Sequence, residues 1–144
     1  MLPVTDELEA SVVEDKVDTP EEEQLIANIL VIEDEDAIRE TLSEMLELGG
    51  HAITLAENGE EGLKRFSEMH FDIVFTDLGM PGISGWEVAR SVRAMREDIP
   101  IIMVTGWGVG IGKEEMDENG VDEVLPKPFD IDFVLDLIQR IMED

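Results

Sequence analysis

Ile29-Leu30-Val31-Ile32-Glu33-Asp34 is an apolar run that stops on two carboxylates. An unbroken apolar run of this length marks a strand buried on both faces, as strands of a parallel sheet are. The same design recurs along the chain. Ile73-Val74-Phe75-Thr76 runs into Asp77, Ile101-Ile102-Met103-Val104 into Thr105, and Val124-Leu125-Pro126 into Lys127-Pro128. If the runs are parallel strands, their polar endings emerge on one edge of one sheet. Carboxylates, a hydroxyl and an ammonium then share one cleft, a set able to hold a divalent cation and a phosphoryl group together.

Helix signals fill the spaces between the runs. Ile38, Leu42, Met45 and Leu46 share one face before a stop at Gly49-Gly50. Ala52 to Ala56 is a short strand whose polar Thr54 suits a sheet edge. Asn58 caps a helix with Glu61 three residues on, and Leu63 and Phe66 face inward. Phe71 to Thr76 is the third strand. Ser84 and Glu87 make a capping box for a helix carrying Val88, Ala89 and Val92. After the strand Ile101 to Val104, Gly106, Gly108, Gly110 and Gly112 loosen the chain, so only Lys113 to Asn119 reads as helix, ended by Gly120. Val124 to Leu125 is a short fifth strand, and Val134, Leu137, Ile138 and Ile141 form the stripe of a last helix. Alternating strands and helices predict an α/β fold, a five-stranded parallel sheet doubly wound with helices on both faces. Ligands of such sheets bind beyond the carboxyl ends of the strands, where the polar endings lie.

At 144 residues the chain has the size of one domain plus a tail, and its 43% apolar content supports a core. Residues 1–24 hold nine acids against Lys16 and no lasting apolar period, which predicts an acidic linker or disordered tail before a domain spanning 25–144. Thr19-Pro20-Glu21-Glu22 could cap a short helix there. A net charge of −26 repels phosphate backbones and argues against direct nucleic-acid binding. No apolar stretch is long enough to span a membrane, and the N-terminus lacks the features of a secretory signal. With no cysteine, disulfides and thiolate metal sites are excluded, and a cytoplasmic protein is expected.

Glu33, Asp34 and Asp77 crowded at one edge repel one another, and a hard cation removes the repulsion. Oxygen-only ligands suit Mg²⁺, which keeps several waters, so carboxylates plus one carbonyl suffice. Gly79, two residues past Asp77, is placed to supply that carbonyl. A carboxylate at the end of a central strand can attack a phosphoryl group and form an acyl phosphate. Phosphoryl transfer needs positioning and charge neutralisation. Mg²⁺, the Thr105 hydroxyl and the Lys127 ammonium would each cover one phosphoryl oxygen. Taken singly, Glu33-Asp34 is a helix-start acidic cluster, Asp77 a turn residue, Thr105 a strand end and Lys127 a surface lysine. Their joint arrival at the strand ends carries the reading. His51 and His70 lie away from this edge and receive no role, Trp86 is expected to pack, and the methionines read as filler.

From about Ile29 to Met142 the chain resembles the receiver domain of two-component response regulators. The resemblance rests on Ile29-Leu30-Val31-Ile32-Glu33-Asp34-Glu35, Asp77-Leu78-Gly79-Met80-Pro81-Gly82, Val104-Thr105-Gly106 and Leu125-Pro126-Lys127-Pro128-Phe129. It implies a flavodoxin-like sheet of strand order 2-1-3-4-5 and a phosphoacceptor Asp77 served by a histidine kinase or a histidine phosphotransfer protein. It further implies Mg²⁺ held by Glu33 and Asp34, the latter more directly, phosphoryl contacts from Thr105 and Lys127, and slow self-dephosphorylation. The Lys127–Pro128 bond is expected to be cis. The fourth helix, fifth strand and fifth helix would form the readout face, where partner or homodimer contacts are expected. The family often has Asp-Asp where Glu33-Asp34 stands. Its switch aromatic falls on Val124, which has no ring to swing inward. Trp107 is then a candidate to shield an acyl phosphate from water, at a position which, like that of Gly79, tunes hydrolysis in the family.

No output domain is expected after the last helix. Met1-Leu2-Pro3-Val4 resembles the closing strand of histidine-kinase ATP-binding domains, which would make the chain the C-terminal receiver of a hybrid histidine kinase; a free-standing regulator is the other reading. Competing activities fare worse. An aspartyl-nucleophile phosphatase needs a second Asp where Gly79 stands, and a flavodoxin-like nucleotide module needs a phosphate cradle where Glu33-Asp34-Glu35-Asp36 would repel one. A pseudo-receiver acting by contact alone stays open because of Val124.

Overall fold

The computed structural model describes residues 26–106 and 110–143. The expected linker 1–24, with the cap expected at Thr19-Pro20 and the segment Met1–Val4, lies outside the described residues, as does Trp107. The element order is β1 (Asn28–Ile32), α1 (Asp36–Leu48), β2 (Ala52–Ala56), α2 (Gly59–Glu68), β3 (Ile73–Asp77), α3 (Gly85–Met95), β4 (Ile101–Thr105), α4 (Lys113–Asn119), β5 (Glu123–Pro126) and α5 (Ile131–Glu143).

All strand pairs are parallel and the sheet order is β2-β1-β3-β4-β5, as expected. The unbroken apolar runs fill both faces. Leu30, Ile32, Val74, Ile101 and Met103 meet Phe66 of α2 and Val88, Ala89 and Val92 of α3 on one side. Ile29, Val31, Ile73, Phe75, Ile102 and Val104 meet Leu42 and Leu46 of α1 and Val134, Leu137 and Ile138 of α5 on the other. A buried leucine or isoleucine contributes roughly 1.5–3 kcal/mol through water release, so these two layers carry the fold. Edge strand β2 is the least buried of the long strands, which its mixed sequence allows.

Local signals set the helix ends. The Asn58 side chain accepts the Glu61 N–H at 2.8 Å, and Ser84 and Glu87 form the reciprocal capping box. Gly50 at φ 89° follows α1, and Gly120 at φ 76° closes α4, a left-handed conformation that glycine adopts without a Cβ clash.

Several strand boundaries differ from expectation: β1 begins at Asn28, and β3 and β4 run one residue on, to Asp77 and Thr105. β3 begins at Ile73, not Phe71, because Phe71 joins the core from the preceding turn, stacked on Phe66 at 6.2 Å. β5 extends to Glu123 and Pro126, which pair with Ile102 and Thr105. Glu123 is polar and Pro126 offers no N–H, so neither carried an apolar strand signal, yet both fit an edge strand. No helix among the described residues is long and apolar enough to cross a membrane.

Candidate functional site

β1, β3, β4 and β5 deliver the site residues to one edge. Asp77 is the last residue of β3 and Thr105 the last of β4. The Leu78 N–H donates to the Val104 carbonyl at 3.0 Å and the Gly85 N–H to the Leu78 carbonyl at 2.8 Å, which closes the loop behind Asp77. The Lys127 N–H donates to the Thr105 carbonyl at 2.9 Å, so the β5–α5 turn is tied to the end of β4. The Lys127–Pro128 peptide is cis, as expected.

The side chains converge. Lys127 Nζ lies 3.2 Å from Asp77 Oδ1, 3.4 Å from Glu33 Oε1 and 3.7 Å from Glu35 Oε1. One carboxylate oxygen each from Glu33, Asp34 and Asp77 fall within 4.8 Å of one another. Glu33 is 2% exposed and Asp77 6%, whereas Asp34 is more open to solvent. A cleft of about 430 Å³ opens over them, lined by Asp34, Glu35, Asp77, Leu78, Gly79, Gly106 and Lys127. An apolar groove of about 310 Å³ adjoins it, formed by Ala37, Ile38 and Thr41 of α1 with Pro128 and Phe129 beside Lys127.

The electrostatics show an unbalanced site. Burial, with the Asp77 charge adding to it, pushes Glu33 up to about 7, against the pull of the Glu35 N–H and Lys127. Burial also raises Asp77; Lys127 opposes the rise and Asp34 adds to it. Burial alone would depress the Lys127 ammonium, but the Asp77 and Glu33 carboxylates outweigh it and hold it above its ordinary value. A single ammonium therefore does not compensate these carboxylates. Thr105 Oγ1 is fully buried and has no hydrogen-bond partner among the described residues. A buried hydroxyl without a partner costs roughly 1–3 kcal/mol, so it marks a place where a further acceptor belongs. The oxygen-only donor set and the surplus negative charge fit a hard divalent cation such as Mg²⁺.

The structure brings together Glu33, Asp34, Asp77 and Lys127, with Gly79 in the cleft wall and Thr105 at the neighbouring strand end. Glu35, to which the sequence reading gave no role, is a third carboxylate partner of Lys127. No periodicity could have singled it out within an acidic run. His51 is bonded at the opposite end of β1, where its Nδ1 accepts the Ala27 N–H, and Trp86 packs against the core.

The chain matches the model of the response regulator receiver domain over residues 29–139. It is 41% identical over 101 residues to the transcriptional regulatory protein ResD of Bacillus subtilis, covering 70% of this chain and 42% of that protein. Against the response regulator protein FleR of Pseudomonas aeruginosa it is 32% identical over 116 residues, 81% of this chain and 24% of that protein. The chain thus spans about a quarter to a half of the length of these curated relatives. The chemotaxis protein CheY4 of Vibrio cholerae superposes with a TM-score of 0.76 at 28% identity, covering 81% of this chain and 99% of that one. The response regulator TrrA of Thermotoga maritima, solved in complex with Mg²⁺–BeF, superposes with a TM-score of 0.72 at 38% identity, covering 79% and 97%. The chain belongs to the response regulator receiver domains, phosphoacceptor modules of two-component signal transduction rather than catalytic enzymes.

Proposed function

We propose that Asp77 accepts a phosphoryl group from a phosphohistidine donor in a Mg²⁺-dependent reaction, with Thr105 and Lys127 as its phosphoryl contacts. The observation that carries this reading is the convergence of Lys127 and the Glu33–Asp34 pair on Asp77 at the carboxyl edge of the sheet. Glu33, Asp34 and Asp77, with the Gly79 carbonyl, are the residues that would hold Mg²⁺. When bound, the ion neutralises carboxylate and phosphoryl charge in the cleft. Asp77 Oδ attacks phosphorus, the P–N bond of the donor breaks, and its electron pair returns to the imidazole. Lys127, now paired with Asp77, is close enough to follow charge onto a phosphoryl oxygen. Thr105 brings a hydroxyl with no partner among the described residues, so donating it to a phosphoryl oxygen breaks no bond seen there. The TrrA complex supports the reading, because beryllium fluoride is a general mimic of a phosphoryl group.

Receiver domains are partners of histidine kinases, and a histidine phosphotransfer protein is the other donor class. The donor imidazole must enter above Asp77. The apolar groove between α1 and Pro128-Phe129 then offers the adjoining contact. Output would run through Thr105 to α4, β5 and α5, the face on which partner or homodimer contacts are proposed. Among the residues of α4 none is fully buried, so this helix is the element least held by the core. Slow self-dephosphorylation completes the cycle.

Incubation with Mg²⁺ and acetyl phosphate, read by intact-mass spectrometry, tests this. One added phosphoryl group, absent in Asp77→Ala, is the expected result. No adduct with any donor would favour a pseudo-receiver, the reading that Val124 at the switch-aromatic position suggests. Steady phosphate release from unrelated esters would favour a phosphatase.

A further inference from the structure

Arg39 is an arginine turned inward beside an acidic site. The chain has 36 acidic residues and 10 basic ones, and the side chain of this one is only 11% exposed. It lies in the first turn of α1. Its Nη1 donates to the main-chain carbonyl of Glu33 at 2.9 Å, and its Nη2 pairs with Asp36 Oδ1. The guanidinium therefore bridges the end of β1 and the start of α1. A planar fork can make both bonds at once and in fixed directions.

The bonded carbonyl belongs to the peptide that joins Glu33 to Asp34, the adjacent carboxylates of the triad. Glu33 is pinned elsewhere too. Its N–H donates to the Ala56 carbonyl at 3.1 Å, and its Oε2 accepts the Glu35 N–H at 3.1 Å. With Arg39 on the carbonyl, the plane of the Glu33–Asp34 peptide is set, and with it the directions in which the two side chains leave the backbone. Electrostatically the arginine works against a second cation nearby. Any favourable effect it has on cation binding must therefore come from geometry.

We propose that Arg39 is a positioning residue of the divalent-cation site, holding the Glu33–Asp34 peptide so that both carboxylates meet Asp77. The inference rests on the reading of those carboxylates as Mg²⁺ ligands. Groups that orient metal ligands without touching the metal typically change affinity by roughly 10–100-fold when removed.

The test is calorimetric titration of the full chain with Mg²⁺ alone, on the wild type, Arg39→Lys and Arg39→Met, with melting curves in EDTA to confirm folding. Arg39→Met should bind Mg²⁺ roughly tenfold more weakly despite the loss of a competing positive charge. Arg39→Lys keeps the charge without the fork and should also bind more weakly; it serves alone if the methionine variant does not fold. Unchanged or tighter Mg²⁺ binding in the folded variants overturns the proposal, and a lowered melting point with unchanged affinity assigns Arg39 a structural role only. Failure of the wild type itself to bind Mg²⁺ overturns the cation reading, and this inference with it. Normal wild-type binding with unaffected variants overturns this inference alone.

Discussion

Lys127 Nζ stands 3.2 Å from Asp77 Oδ1, across 50 residues of sequence, and the same ammonium faces Glu33 and Glu35. One cation thus answers several carboxylates, one at the end of β3 and two in the turn after β1. Its side chain is 17% exposed, so solvent does little to replace it. Lys127→Met leaves the carboxylates facing one another. In EDTA the variant should lose roughly 1–3 kcal/mol of stability, less than a fully buried pair would because the carboxyls can take up protons. Added Mg²⁺ should raise its melting temperature by more than it raises that of the wild type. Thermal melts with and without Mg²⁺ check both statements, and an equal Mg²⁺ response in the two proteins would contradict the shared-charge account.

Thr105 presents the opposite case, a functional group that weakens the resting fold. Its Oγ1 is buried without a partner among the described residues, while its carbonyl is used by the Lys127 N–H. Thr105→Val keeps the shape and removes the unsatisfied hydroxyl. The variant should be more stable than the wild type by about 1 kcal/mol in chemical denaturation. Its acyl phosphate should nonetheless form more slowly or decay faster, as followed by intact mass over time. A variant that is both destabilised and normally phosphorylated would show that the hydroxyl has an unseen structural bond and no phosphoryl contact.

The glycines around Asp77 separate support from access. A Cβ added at Gly85 would lie 2.3 Å from the Asp77 carbonyl oxygen and 2.9 Å from Leu78 Cα, backbone atoms that cannot rotate away. Gly85→Ala should therefore push α3 off the end of β3, cost roughly 1–3 kcal/mol, and slow phosphorylation of Asp77 by displacing it. At Gly79 a Cβ meets none of the described residues within 4 Å. Gly79→Ala should change stability by no more than about 0.5 kcal/mol. Denaturation midpoints for the two variants decide the matter, and similar values would refute the contrast.

The sequence made the sheet legible because the apolar runs of β1, β3 and β4 are buried on both faces, with polar residues only at the strand ends. The helix starts at Asn58 and Ser84 were legible because side-chain capping is a local bond. Phe71 misled for a reason periodicity cannot remove: a buried turn residue and a strand residue look alike in an apolar run. Glu123 and Pro126 hid the ends of β5 because their pairing with β4 owes nothing to side-chain hydrophobicity. At the site, Asp77 and Lys127 could be read from their places at strand ends. Glu35 and Arg39 could not, because their contacts depend on how the turn after β1 folds back on the cleft. In a chain so acidic, the identity of one more acid or base says nothing of where it points.

At the opposite end of β1, His51 links stability to pH. Its Nδ1 accepts the Ala27 N–H at 3.1 Å, which requires that nitrogen to be unprotonated, and burial lowers the imidazole from its ordinary value of 6.5. The unfolded chain takes up the proton at its usual pH while the folded one resists. The His51 contribution is therefore complete above pH 6.5 and is lost progressively as pH falls from there toward the lower folded value. His51→Asn offers an amide oxygen near the Nδ1 position and does not titrate. The stability difference between wild type and variant should shrink as the pH is lowered from about 7.5 to about 5.5. Urea denaturation of both proteins across that range measures the difference directly. A gap that stays constant or widens toward acid would show that the imidazole keeps its proton on folding, and the Ala27 bond would then need another acceptor.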